Sequence, residues 1–315
     1  MEGMVADEPR IQEILEDFFF IQRGYLNANH FVYRGKPTVL IDTGYVGDLQ
    51  ETKELLGSLG VAFSQVDCIV NTHCHCDHVG ANRVIQQESG CDIALHYIGQ
   101  HFINTRDDWA TWWRYYQQDA EFFHAGRGLK DGDLFSIGPY ELQVLYTPGH
   151  SADGLALYHP EEQLLLSSDI LWENDVAAIT ERVEGSRALF SLQESLERLQ
   201  DLEVRRVYPG HGRPFSDFQS AVQKALAKTG RYLKDKGKLG RDQIRKLMVY
   251  TLLMRKQIPD YRFFQDLMDT PWFPESVDFY FRGEYRKTYR ENLEELLNKK
   301  AILRKGRFFH PGVPP

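Results

Sequence analysis

Asn71-Thr72-His73-Cys74-His75-Cys76-Asp77-His78 is the stretch on which the reading of this chain turns. It follows Cys68-Ile69-Val70, a short apolar run that reads as a buried strand. Three imidazoles and a carboxylate therefore fall together on one loop at a strand end. These are the donors that Zn²⁺ or a similar borderline divalent ion takes. Working outward, three further motifs repeat the arrangement: His150 in Thr147-Pro148-Gly149-His150, Asp169 in Ser167-Ser168-Asp169, and His211 in Pro209-Gly210-His211-Gly212. Each follows a predicted strand, so a sheet edge would gather all of them from distant parts of the chain. Cys74 and Cys76 alternate with the candidate donors on an extended loop. Their side chains should point away from the site, and no metal role is assigned to them. Cys68 and Cys91 are expected as buried apolar groups.

The surrounding sequence alternates short β-rich runs with turn signals. Phe31–Tyr33 and Thr38–Ile41 flank Arg34-Gly35-Lys36-Pro37 as a hairpin. Leu134–Ile137 pairs with Glu141–Tyr146 around Gly138-Pro139, and Leu155–Tyr158 with Leu164–Ser167. Arg206–Tyr208 leads to the last histidine motif. Leu49–Leu59, Val79–Gly90 and Arg187–Gln200 show apolar spacing near 3.6 and are expected as helices. This alternation predicts an α/β protein with mixed sheets. From about Asp217 the pattern turns helical and basic.

The chain has 315 residues, 42% of them apolar and 26% charged, which excludes a mostly disordered protein. No run of about 18 apolar residues is present, so no membrane span is expected. Four cysteines do not make a disulfide scaffold. The N-terminal MEGMVADEPR is acidic, with no apolar stretch of a secretory signal, and the cytoplasm is the expected compartment. The net charge of −8 hides a split. Residues 1–217 carry −18 and residues 218–315 carry +10, so a catalytic domain over 1–217 and a basic helical domain over 218–315 are expected.

The motifs together resemble the metallo-β-lactamase superfamily. The resemblance rests on His73-x-His75-x-Asp77-His78, Thr147-Pro148-Gly149-His150, Ser168-Asp169 and Gly210-His211-Gly212, with Leu40-Ile41-Asp42-Thr43-Gly44 as the early strand and turn. It covers roughly residues 15–217 and implies an αββα sandwich with a binuclear metal site at the sheet edge. Carried over, one ion would be held by His73, His75 and His150. The second would be held by Asp77, His78 and His211, with Asp169 bridging. A hydroxide between the ions would be the nucleophile, and Asp77 would orient it. Zinc is the expected ion, with iron or manganese accepted by the same donors. Asp42 is expected either to cap its turn or to support the ligand loops.

Residues 101–125 hold eight aromatic side chains, including Trp109, Trp112, Trp113 and Tyr116 at helical spacing. A helix packed on the core or a dimer contact is one reading of this segment. A lid over the metal site, suited to an apolar acyl group, is the other. Trp172 and His30 are candidate pocket residues. Glu291–Phe309 reads as a helix followed by a basic hairpin, which resembles a winged-helix end.

The resemblance implies a metal-dependent hydrolase of thioesters or related esters, of the acyl-CoA or S-acylglutathione type as in glyoxalase II. The alternatives are an acyl-lactone hydrolase, or a nuclease that uses the basic region as a nucleic-acid clamp. The expected partner is a small acyl substrate, with nucleic acid as the alternative, no membrane, and a homodimer as the candidate assembly. A flavodiiron-type oxygen reductase would place Glu where His75 stands and is disfavoured.

Overall fold

The structure, a computed structural model, describes residues 10–315. The stretch read for a secretion signal lies, through residue 9, outside the described residues. Two mixed sheets form the centre. The first runs in chain order through β1 (Ile11–Leu15), β2 (Phe18–Ile21), β3 (His30–Tyr33), β4 (Val39–Ile41), β5 (Cys68–Val70), β6 (Asp92–His96) and β7 (Arg127–Leu129). It is antiparallel through β4 and parallel from there to β7. The second contains β8 (Leu134–Ile137), β9 (Tyr140–Tyr146), β10 (Leu155–His159), β11 (Leu164–Ser168) and β12 (Arg206–Pro209), in the order β12-β11-β10-β9-β8.

Strand periodicity decides which side chains face which layer. Phe31, Tyr33, Leu155, Leu157, Leu164 and Leu166 fill the space between the sheets. Their neighbours Val32 and Leu40 face outward to one helical layer, and Ala156, Tyr158 and Leu165 to the other. The first layer holds α1 (Leu49–Ser58), α2 (Asn82–Ser89) and α3 (Tyr97–Thr105). The second holds α4 (Glu181–Glu184) and α5 (Ala188–Leu199). The result is the expected αββα sandwich. Outside the aromatic segment, every strand and helix anticipated from periodicity is present, with ends shifted by a few residues. The largest shift is at α2, which begins at Asn82 rather than Val79 and ends where Gly90 takes φ +73°.

The C-terminal part contains α6 (Phe218–Lys234), α7 (Lys236–Arg255), β13 (Ile258–Pro259), α8 (Phe263–Met268), α9 (Trp272–Phe281), α10 (Tyr285–Asn298), β14 (Ile302–Lys305) and β15 (Phe308–Pro311). The helix and hairpin expected over Glu291–Phe309 are α10 and β14–β15, and β13 adds a third strand. Asp217 caps α6 by accepting from the Ser220 amide. Val222, Ala225 and Tyr232 of α6 pack in one cluster with Leu189 and Leu192 of α5. No helix among the described residues is long and apolar enough to cross a membrane.

The aromatic segment departs from expectation. Beyond α3 it is a run of turns, because Arg106, Trp112 and Gln117 take positive φ and interrupt any helix. The aromatic groups consequently split. Trp113 and Phe123 enter the outer core of the first sheet. Trp112, Tyr115 and Tyr116 pack with Ile244, Met248 and Trp272 of the C-terminal helices.

Candidate metal centre

Asp42 organises the ligand loop from below. It ends β4 at φ +58°, which turns its carboxylate under the segment that follows β5. That carboxylate accepts hydrogen bonds from the Thr72 amide, the Thr72 hydroxyl and His78 Nδ1, each at 2.8 Å. Ser168 donates to the same Thr72 hydroxyl at 2.8 Å, which ties the second sheet to the loop. Asp42 therefore supports the loop, and of the two readings open for it this is the one found.

The other candidate donors come from strand ends, as their motifs suggested. His150 follows β9 and donates from Nδ1 to the Ala178 carbonyl at 2.7 Å. Gly149 before it takes φ +142°, and a Cβ there would lie 2.5 Å from the Leu192 Cα, so only glycine lets this loop approach α5. His211 follows β12 and donates from Nδ1 to the Gly24 carbonyl at 2.9 Å. With Nδ1 committed in His78, His150 and His211, Nε2 is the atom each turns to the site, and that of His150 lies 2.9 Å from His75 Nδ1. Asp169 follows β11. Its Oδ1 accepts from the Trp172 indole at 3.2 Å, while Oδ2 lies 3.4 Å from His150 Nε2 and 3.7 Å from Nε2 of both His78 and His211. Asp77 Oδ2 is 3.3 Å from His211 Nε2.

All seven residues that the motifs singled out converge. Three overlapping groups, His73–His75–His150, His73–His78–Asp169 and Asp77–His78–His211, each place their donor atoms within 4.8 Å of one another. All are buried. Nε2 of His73, His75 and His78 has no hydrogen-bond partner, an arrangement that costs free energy unless something else meets these atoms.

The electrostatics match a cation site. Burial, reinforced by neighbouring imidazoles, holds His73 and His75 well below the ordinary histidine range, so both present neutral lone pairs. Burial also lowers His150, against the pull of Asp169. Burial would lower His78 and His211 too, but Asp42 and Asp77 outweigh it at His78, and Asp169 and Asp77 at His211, so both are raised. Burial would raise Asp169, yet His211 and His78 pull it below the usual carboxylate range. Neutral imidazoles at His73, His75 and His150 beside the ionised Asp169 are donors that a divalent metal takes, while the proton that the acids favour on His78 and His211 is one that a bound cation would displace.

The site floors a cavity of about 360 Å³. Trp172 lines it, as expected, and so does Trp112, whose ring centroid is 4.0 Å from that of His75. The segment around Trp112 is thus both packing element and pocket wall. His30 is buried on β3 and lies outside the cavity lining. Cys74 and Cys76 face the outer core, away from the donors. Two contributors were not anticipated. Tyr25 stacks on His211 with centroids 6.2 Å apart and planes 4° from parallel. Helix α7 supplies a whole wall, signalled in sequence by Lys246, Val249, Tyr250 and Leu253 at helical spacing.

Known proteins resemble this chain in sequence and fold. The family model of the metallo-beta-lactamase superfamily matches residues 24–211. The Beta-lactamase-like protein 2 homolog of Caenorhabditis elegans is 26% identical over 238 residues, 76% of this chain and 70% of that protein. Acyl-coenzyme A thioesterase MBLAC2 of Bos taurus is 25% identical over 229 residues, 64% of this chain and 80% of that one. Among solved structures, a metallo-beta-lactamase family protein from Thermus thermophilus superposes with a TM-score of 0.61 at 22% identity, covering 95% of this chain and all of the other. Strand-end donors, sandwich and family match agree: the chain belongs to the metallo-beta-lactamase superfamily of metal-dependent hydrolases.

Proposed function

We propose that the protein hydrolyses a thioester or related ester, of the acyl-coenzyme A or S-acylglutathione kind, at a pair of divalent ions. His73, His75 and His150 would hold one ion, Asp77, His78 and His211 the other, and Asp169 would be shared. Zinc suits these donors, and iron or manganese is accepted by the same set. Bound ions would supply Lewis acidity, which acidifies water toward a pKa of about 7 and polarises a carbonyl. The observation that carries the reading is the convergence of unpartnered, buried imidazole nitrogens on Asp169 at the floor of an open cavity.

The chain's own residues would do the positioning. Asp42, Ala178 and Gly24 fix the rings of His78, His150 and His211 through Nδ1. Asp77, on the cavity wall, would orient the attacking water. Trp112 and Trp172 line the cavity and would limit the approach of bulk water to the site. In the reaction the water oxygen forms the new C–O bond, the C–S or C–O bond to the leaving group breaks, and the leaving group takes the remaining proton. The similarity to an acyl-coenzyme A thioesterase supports an acyl substrate.

The test is a panel of acyl-CoA, S-acylglutathione, lactone and RNA substrates, each with and without chelator. Chelator-sensitive thioester hydrolysis, abolished by Asp169→Ala, is expected. Thioester hydrolysis that survives complete metal removal, or turnover of RNA alone, overturns the reading.

A further inference from the structure

The cavity above the metal centre is asymmetric, and the asymmetry follows one face of α7. Asp242, Lys246, Val249, Tyr250 and Leu253 all line it, at offsets that stack on one side of a helix. The polar residues stand at one end of this stripe and the apolar ones at the other. Tyr250 marks the middle. Its hydroxyl lies 3.3 Å from Cys76 Sγ, between two candidate ligands, so the stripe passes directly beside the ligand loop.

At the polar end four cations meet three carboxylates of the same chain. Lys246 lies 2.6 Å from Asp242 and 3.4 Å from Asp175, and Lys228 adds a pair with Asp242 at 3.0 Å. Arg245 lies 2.5 Å and Lys299 2.8 Å from the one carboxylate of Glu295. The cations facing the cavity are thus committed to acids of the same chain. At the apolar end Leu253 is buried with Val313 packed against its cluster, and the buried Leu296 of α10 lines the cavity between this end and Lys299. A carbonyl placed at the metal donors has this apolar end as the dry path open to its hydrocarbon side.

We propose that this apolar end is an acyl chamber, with Leu253, Leu296 and Val313 setting the chain length accepted, and that the site selects the acyl group rather than a phosphate-bearing carrier. This rests on the ester reading above. Each methylene that enters such a chamber should improve kcat/KM by about three- to fourfold until the space is full. Among the described residues the cations lining the cavity, Arg245, Lys246 and Lys299, are each paired within the chain, so a carrier's phosphates should contribute little and the rate should depend weakly on salt.

The experiment uses the full-length, zinc-loaded protein. Acyl thioesters from acetyl to myristoyl are compared on two carriers, coenzyme A and uncharged N-acetylcysteamine. The primary amides of the same acids are titrated calorimetrically into metal-free protein, which reads the chamber without turnover. The expected result is a rise with chain length that levels off in both measurements. The two carriers should differ by no more than about threefold, a small electrostatic contribution. Leu253→Trp, and independently the less buried Val313→Trp, should shift the preferred chain to a shorter one. A flat chain-length profile, an unshifted optimum in both variants, or a strong salt-sensitive preference for coenzyme A overturns the proposal. If no thioester is cleaved while amides still bind with the chain-length trend, the ester reading fails and the chamber stands. If thioesters are cleaved with no dependence on chain length, the chamber fails and the ester reading stands.

Discussion

Replacing Asp42 by Asn tests whether support from below the ligand loop holds the metal centre in its working state. The change is close to isosteric, and Asn tolerates the positive φ of this position as Asp does, so the backbone has no reason to move. The hydrogen bonds do have to change. Both carboxylate oxygens act only as acceptors here. Oδ1 takes the Thr72 amide, and Oδ2 takes the Thr72 hydroxyl and His78 Nδ1–H. An Asn amide supplies one acceptor and one donor. If its oxygen keeps the Thr72 amide, its NH₂ faces His78 Nδ1, which must then give up its proton. The proton moves to Nε2, the atom that points at Asp77, His211 and Asp169. His78 is then lost as a donor to the site. If the amide flips, two N–H groups oppose each other at Thr72 instead.

Either outcome forfeits a charge-assisted hydrogen bond in a buried setting, about 1.5–3 kcal/mol. At about 1.36 kcal/mol per tenfold, that is a loss of roughly 10- to 100-fold in metal affinity. The loss should fall mainly on the ion held by Asp77, His78 and His211. Titration with zinc against a competing chelator measures it, and metal content after dialysis provides a second reading. Unfolding of the metal-free proteins serves as the control, since a change confined to the holo forms separates metal affinity from general instability. Asp42→Asn with wild-type zinc affinity and wild-type turnover would refute the tautomer argument.

Two further outcomes follow from the geometry. Gly210→Ala places a Cβ 2.2 Å from Asp169 Oδ1, and relief of that contact must push the carboxylate by about 1 Å, so a rate loss of about 100-fold is expected in steady-state kinetics. Burial, offset in part by the Trp112 indole and aided by Asp153, pushes the Glu184 carboxyl up to about 8. The unfolded chain releases this proton near the ordinary carboxylate value, so the stability tied to it is present at low pH and is lost as pH rises toward 8. Glu184→Gln should therefore gain denaturant midpoint relative to wild type between pH 5 and pH 8, and a pH-independent difference would contradict it.

The convergence of the candidate donors was legible because each sits in a short local motif at a strand end, where strand, turn and side chain are adjacent in sequence. The alternation of strand-like and helical runs likewise exposed the mixed α/β sheets, whereas the sandwich followed from the family resemblance, since Phe31, Val32 and Tyr33 are all apolar and only the structure divides them between two faces. The aromatic segment was misleading for a local reason. Its spacing fits a helix, but positive φ at Trp112 divides its side chains between two cores, and no propensity signals that. Tyr25 and α7 were hidden for a nonlocal reason. Tyr25 reaches the site because the Gly24 carbonyl binds His211, 187 residues away, and Tyr250 because its hydroxyl meets Cys76, 174 residues away.

The charge split first suggested a surface for an acidic partner, yet much of the basic region's charge is spent inside the molecule. Lys228 pairs with Asp175, Lys236 with Glu181, and Glu275 returns the exchange by binding Arg182. These contacts join the two oppositely charged parts of the chain. They are not the main hold between the parts, since the exposed Arg182–Glu275 pair contributes about 0–1 kcal/mol and the part-buried pairs must first offset the desolvation of their charges. Burial outweighs them. Trp112, Tyr115 and Tyr116 enter one cluster with Trp272, Phe273 and Met248, and a single buried aromatic truncated to Ala costs about 3–5 kcal/mol. The apolar contact thus fixes the docking, and the complementary charges orient it. Helix α7 joins this cluster through Met248 and the outer core of the first sheet through Leu253, and the same helix lines the cavity, so the packing that seats the basic region also shapes the pocket.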